Sequence, residues 1–230
     1  MNYLIILLLV VISLIILACI YDVNLKKLKN LTIDEEKRLN NIVQKYPSNI
    51  DICKYILKKL NNMNVKVEED KNTQTCLYIA LTNKIIIADI KNSYTRIQTI
   101  AHECLHSIQD RKILLFNFIY SNLYILYFFT ILILTLFGVI KEGMLYIVIL
   151  LILSYIQYFV KSYLENDAMI KAKYIAKEYM QEIKISDEKE IDKIIESYDK
   201  INSQGIKIVN YKLMLETMYK VIIVTFISFI

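Results

Sequence analysis

The sequence predicts a mainly α-helical, integral membrane protein with three to four transmembrane helices and a small membrane-proximal α+β domain. Three observations carry this. Hydrophobic residues fill 56% of the 230 positions, above the roughly 45–50% usual for soluble globular chains. Long apolar stretches almost free of charge recur along the chain, at lengths close to the ~20 residues that span a bilayer. Only three Gly and one Pro punctuate the sequence, so long helices run without interruption.

Residues 1–20 read as an N-terminal transmembrane anchor, because 4–20 is apolar and uncharged. No basic residue precedes it, so it lacks the charged start of a secretory signal. Ile16-Leu17-Ala18-Cys19 loosely resembles a lipoprotein cleavage site, but Leu17 and the missing basic start favour an uncleaved anchor. Residues 21–112 read as a helix and small-sheet segment. Thr32-Ile33-Asp34-Glu35 matches a capping box, so a helix starts there and runs to about Tyr46, stopping at Pro47. Ile52, Ile56, Leu57 and Leu60 recur at helical spacing across 51–60. Val65 and Val67 alternate with charged residues, which predicts a short strand, and two more are expected at 76–81 and 84–87 around Thr82-Asn83. A third helix is expected over about 93–112.

Residues 113–160 read as a transmembrane hairpin: apolar runs 113–140 and 144–160 flank only Lys141, Glu142 and Gly143. Residues 161–212 read as helical. Residues 213–230 form a C-terminal apolar helix and a candidate fourth span, in which Glu216 and Lys220 must face protein or snorkel. Lys26, Lys27, Lys29, Arg111, Lys112 and Lys161 all flank the spans on the side of the polar segments, against Lys141 alone on the other. The positive-inside tendency therefore makes the polar parts cytoplasmic.

The net charge of +5 is modest and the basic residues form no long run. With no nucleic-acid-binding motif either, nucleic acid is not an expected partner. The four cysteines (Cys19, Cys53, Cys76, Cys104) form no CxxC pair and do not suggest a disulfide framework.

The chemistry lies in His102-Glu103-Cys104-Leu105-His106, an H-E-x-x-H pattern. On a helix, residues i and i+4 share a face, so both imidazoles can reach one Zn²⁺ at ~2.0–2.1 Å. Glu103 lies beside that face and can act as general base toward a zinc-activated water. The chain has only two histidines, and both are in the motif; two randomly placed histidines fall four apart in roughly one chain in a hundred. Cys104 points away from the histidine face and reads as a buried structural thiol. A third zinc ligand must be a carboxylate or thiolate. The hairpin returns the chain to the side it left, and Glu165-Asn166-Asp167-Ala168 follows a few residues later. Glu165 is the expected third ligand, with Asp167 the next candidate. Ala168 and Ala172 would allow close packing on the motif helix.

Over most of its length the chain resembles the YugP-type membrane zinc metallopeptidases. Ala101-His102-Glu103-Cys104-Leu105-His106-Ser107-Ile108-Gln109 is similar to that family's A-H-E-x-G-H-x-x-Q, and Glu165-Asn166-Asp167-Ala168 to its E-F-D-A. Leu105 stands where the family usually has Gly. The resemblance implies a zincin-like domain, bound zinc, Glu165 as ligand and a peptidase acting on protein or peptide substrates. The HtpX and CAAX-prenyl-protease group is similar in order but more distant, because its usual Asp is replaced by Met169. A site-2 type intramembrane protease fits less well, since Gln98, Thr99, Ser107, Gln109 and Asp110 make the motif helix too polar for lipid. The competing reading is a non-catalytic membrane scaffold with a structural zinc site, which would have no need of Glu103.

Overall fold

The structure is a computed structural model and describes residues 2–22, 33–73, 75–140 and 143–228. Among them it is mainly helical with one small sheet. The elements run α1 (Asn2–Ile20), α2 (Ile33–Val43), α3 (Asn49–Lys59), β1 (Lys66–Glu69), β2 (Leu77–Ile79), β3 (Lys84–Ile87), α4 (Arg96–His106), α5 (Arg111–Leu136), α6 (Met144–Ile183) and α7 (Glu188–Ile227). The chain divides into two compact units. One comprises Met1–Val23, Leu115–Tyr163 and Ile206–Ile230; the other comprises Asn24–Leu114 and Leu164–Gly205.

The second unit has a closed apolar core. Ile52, Cys53, Ile56 and Leu57 of α3 pack with Ile85 and Ile87 of β3, with Ile97, Ile100, Ala101 and Cys104 of α4, and with Ala168, Ala172 and Ala176 of α6. The small side chains at 168, 172 and 176 recur every four residues, so one stripe of α6 can approach its neighbours closely, and all three are fully buried. The sheet order is β1-β3-β2, with β1 parallel and β2 antiparallel to β3. Asn83 takes a left-handed φ of 49° in the turn between β2 and β3, a conformation asparagine tolerates better than most residues. The strand expectations hold, but the parallel β1–β3 pairing has no local signal in the sequence.

Three helix boundaries differ from the expectations. Helix α2 ends at Val43, three residues before Tyr46, and a turn leads to Pro47. Thr32 of the capping box lies outside the described residues. The motif helix ends at His106 rather than continuing to residue 112. Local hydrogen bonds explain the break: Ser107 Oγ donates to the Cys104 carbonyl (2.6 Å), while Asp110 Oδ1 accepts from the Lys112 N–H (2.7 Å) and so caps the start of α5. Finally, the C-terminal segment is not a separate helix beginning at 213 but part of the 40-residue α7. No proline interrupts it, and i,i+4 pairs such as Lys200–Glu196 and Lys212–Glu216 favour continuity.

The first unit has its own buried cluster, including Val10, Tyr124, Phe128, Ile131, Ile147, Leu150, Met218, Val221 and Val224. Several of its polar groups pair internally. Tyr124 Oη lies 2.9 Å from Ser154 Oγ, Gln157 donates to Ser121 Oγ (2.7 Å), and the hydroxyls of Tyr21 and Tyr158 meet at 2.7 Å. Two helices, Arg111–Leu136 and Met144–Ile183, are long and apolar enough to cross a membrane. The apolar stretch of α1, Leu4–Ile20, is shorter.

Candidate metal centre

The second unit places the sequence-predicted residues together. Helix α4 is anchored at its first residue. Arg96 is fully buried, and its guanidinium donates to the carbonyls of Val43 (2.8 Å) and Tyr46 (2.9 Å) and to Asn49 Oδ1 (2.9 Å). It thus satisfies carbonyls at and beyond the C-terminus of α2, where a cation is favoured. Asn49 in turn donates to Glu69 on β1 (3.0 Å). The apolar face of α4 is buried through Ile97, Ile100, Ala101 and Cys104, and the opposite turn presents His102 and His106.

His102 Nε2 and His106 Nε2 lie 3.0 Å apart. Glu165 Oε2 of α6 is 3.5 Å from the first and 3.8 Å from the second. Ligand atoms held ~2.0–2.1 Å from one zinc at the tetrahedral angle lie roughly 3.3 Å apart, so the observed triangle has the right scale for one ion. These three residues could hold a metal. Hydrogen bonding supports the fit. Gln109 Nε2 donates to the Leu164 carbonyl (2.7 Å), so its Oε1 is the atom turned to His106 Nδ1, 2.8 Å away. A carbonyl oxygen can only accept, which puts the imidazole proton on Nδ1 and leaves the Nε2 lone pair aimed at the cluster.

The electrostatics agree. Burial pushes the Glu165 carboxyl up, but hydrogen bonds and charge from His102 and His106 outweigh it and hold the group well below the ordinary carboxylate range. Burial lowers the His106 pKa, and Glu165, Gln109 and Glu103 reverse this to a net rise. Three electron-pair donors crowded at 3.0–3.8 Å favour a positive charge among them.

Glu103 is buried but stands outside the three-ligand group. Burial raises its pKa, the two histidines lower it and Glu165 raises it again, so it feels all three ligands. Its Oε2 accepts from the backbone N–H of Tyr78 at 2.7 Å. Tyr78 lies on β2, an edge strand of the sheet, and the sheet thereby fixes the carboxylate beside the histidine face. Asp167, the alternative ligand, is engaged elsewhere: it pairs with Lys171 (2.5 Å) and lies 3.4 Å from Gln109 Nε2. Cys104 is buried with its thiol 3.6 Å from that of Cys53, away from the ligands. Sequence reasoning did not find the Tyr78 N–H, a backbone donor without a sequence signature, or the bridging role of Gln109, three residues after His106.

Comparison of the chain with family models, with curated proteins and with solved structures found no match.

Proposed function

We propose that this chain is a membrane-embedded zinc metallopeptidase of the YugP type, cutting protein or peptide substrates at or near the cytoplasmic membrane surface. The observation that carries the reading is the convergence of His102, His106 and Glu165, with a fourth, buried carboxylate, Glu103, held beside them. Two imidazoles and one carboxylate, with no fourth protein ligand among the described residues, match a catalytic His₂Glu zinc site; structural zinc sites are usually closed by four protein ligands. A zinc ion bound there supplies a Lewis acid and acidifies a coordinated water.

The chain's own residues supply the rest. Glu103 is fixed through Oε2 by the Tyr78 N–H, which leaves Oε1 as the proton acceptor. Its buried setting raises its basicity, and this suits a general base that must take a proton from water and return it to the departing amine. Gln109 holds His106 in its ligating tautomer. A scaffold with structural zinc would have no use for a buried carboxylate poised in this way.

The membrane part of the proposal rests on the surface of the first unit. In the most apolar windows of α5 and α6 only 17% and 28% of residues are buried, whereas a core helix of a soluble protein would be mostly covered. With α1 and the C-terminal part of α7 as further spans, the proposed count is three to four. Lys and Arg placement beside the spans supports a cytoplasmic setting for the polar segments.

The direct test of function is Glu103→Gln in the purified full chain, assayed on an unfolded protein substrate. The amide cannot take the proton, so activity should fall by about 10²–10⁴-fold while zinc content stays that of the wild type. Undiminished hydrolysis by the variant would contradict the mechanism.

A further inference from the structure

We propose that the first unit carries a second site, which binds the phosphate of an anionic phospholipid headgroup between Lys161 and Lys220. This rests on the membrane placement proposed above. A small cavity of about 40 Å³ opens among α5, α6 and α7, with Ser121, Tyr124, Gln157, Lys161, Glu216 and Lys220 in its lining. A water needs ~10–15 Å³, so the cavity has room for a few waters or for one tetrahedral oxyanion.

Its level along the helices follows from their register. Gln157 bonds Ser121 and Tyr124 meets Ser154, so residues 121–124 of α5 lie beside 154–157 of α6. The apolar run of α6 ends at residue 160. On α6 the cavity therefore lies at the end of the apolar run, beside Lys161, the level at which a headgroup phosphate would sit.

Its charge is also unbalanced. Lys220 Nζ is 5.1 Å from the centroid of the Tyr124 ring and donates to the Glu216 backbone carbonyl (3.0 Å). The Glu216 carboxylate lies 3.7 Å from Lys212 instead. Among the described residues neither Lys161 nor Lys220 forms an ion pair. Two ammonium groups facing one diverted carboxylate leave a positive pocket rimmed by lipid-exposed side chains such as Ile125, which is 44% exposed. That combination suits a phosphodiester whose acyl chains run down the apolar helix faces.

Native mass spectrometry of the full chain in detergent tests this, with phosphatidylglycerol and phosphatidylcholine as probes. Phosphatidylglycerol should bind preferentially. Lys161→Gln and Lys220→Gln should each cut that preference by about five-fold. Arginine at either position should retain it, and Glu216→Gln should increase it. An unchanged preference in the double glutamine variant would overturn the proposal, as would inorganic phosphate displacing the lipid, which would make the ligand a soluble anion. A chain that stays in the aqueous phase without detergent would instead overturn the membrane placement itself, so the two failures are distinguishable.

Discussion

At the scale of single residues, the two glutamates near the histidines differ in role and should fail differently. Glu165 touches both imidazoles, whereas Glu103 is held by a strand N–H. Glu165→Ala should therefore lower zinc content and activity together, unlike Glu103→Gln; full zinc occupancy in Glu165→Ala would show that the third ligand is another residue. Gln109 gives a subtler test. It bridges His106 and the Leu164 carbonyl, the residue before Glu165. Gln109→Ala should weaken zinc affinity about 10–100-fold, measured by chelator competition, while Asp167→Ala should have a much smaller effect. The candidate histidine ligands were legible in the sequence because H-E-x-x-H spacing alone determines which helix face two side chains share. Glu165 could be reached only through the topology of the hairpin. The Tyr78 donor could not be read at all, since any residue at that strand position offers the same N–H.

At the scale of elements, the site depends on where α4 starts. Arg96 anchors that start to the end of α2 and to Asn49 on α3 with three buried hydrogen bonds. Removing the guanidinium leaves the Tyr46 carbonyl and the Asn49 amide oxygen without that donor, at ~1–3 kcal/mol each, while the Val43 carbonyl still accepts from the Tyr46 N–H (3.1 Å). Arg96→Leu should therefore destabilise the protein by about 2 kcal/mol or more, read from denaturant unfolding in detergent followed by circular dichroism; a loss below about 1 kcal/mol would show that the anchor is dispensable. Hydrophobic periodicity exposed most of the helices. It missed the end of α4 at His106 and the unity of α7. The first is decided by short-range hydrogen bonds of Ser107 and Asp110, and the second by the absence of proline between residues 188 and 227, Gly205 alone being accommodated within the helix. The β1–β3 pairing joins segments some 18 residues apart, and such pairing is set by the tertiary core rather than by local pattern.

At the scale of the whole molecule, the proposal makes a claim about sides: the zinc site faces the cytoplasm. The native thiols of the second unit are poor reporters of this. Cys53 is fully buried, and burial pushes the Cys76 thiol up to about 11, so both should resist alkylation at neutral pH while the protein is folded. A cysteine introduced at exposed Lys71, with Cys19 replaced by alanine, is the better probe. Membrane-impermeant maleimide should leave it unlabelled in intact cells and label it after lysis; strong labelling of intact cells would invert the topology. The apolar runs made the membrane reading possible from composition alone, whereas orientation rests on Lys26, Lys27 and Lys29, which lie outside the described residues, and on Arg111, Lys112 and Lys161.

The most direct test of the central claim is X-ray absorption at the zinc edge on the purified full-length chain. A His₂Glu site predicts about one zinc per chain, surrounded by nitrogen and oxygen at ~2.0–2.1 Å, with imidazole scattering and no sulfur shell at ~2.3 Å. A sulfur shell would place the metal on cysteine, and a chain that takes up no zinc would leave His102, His106 and Glu165 without the ion around which the account is built.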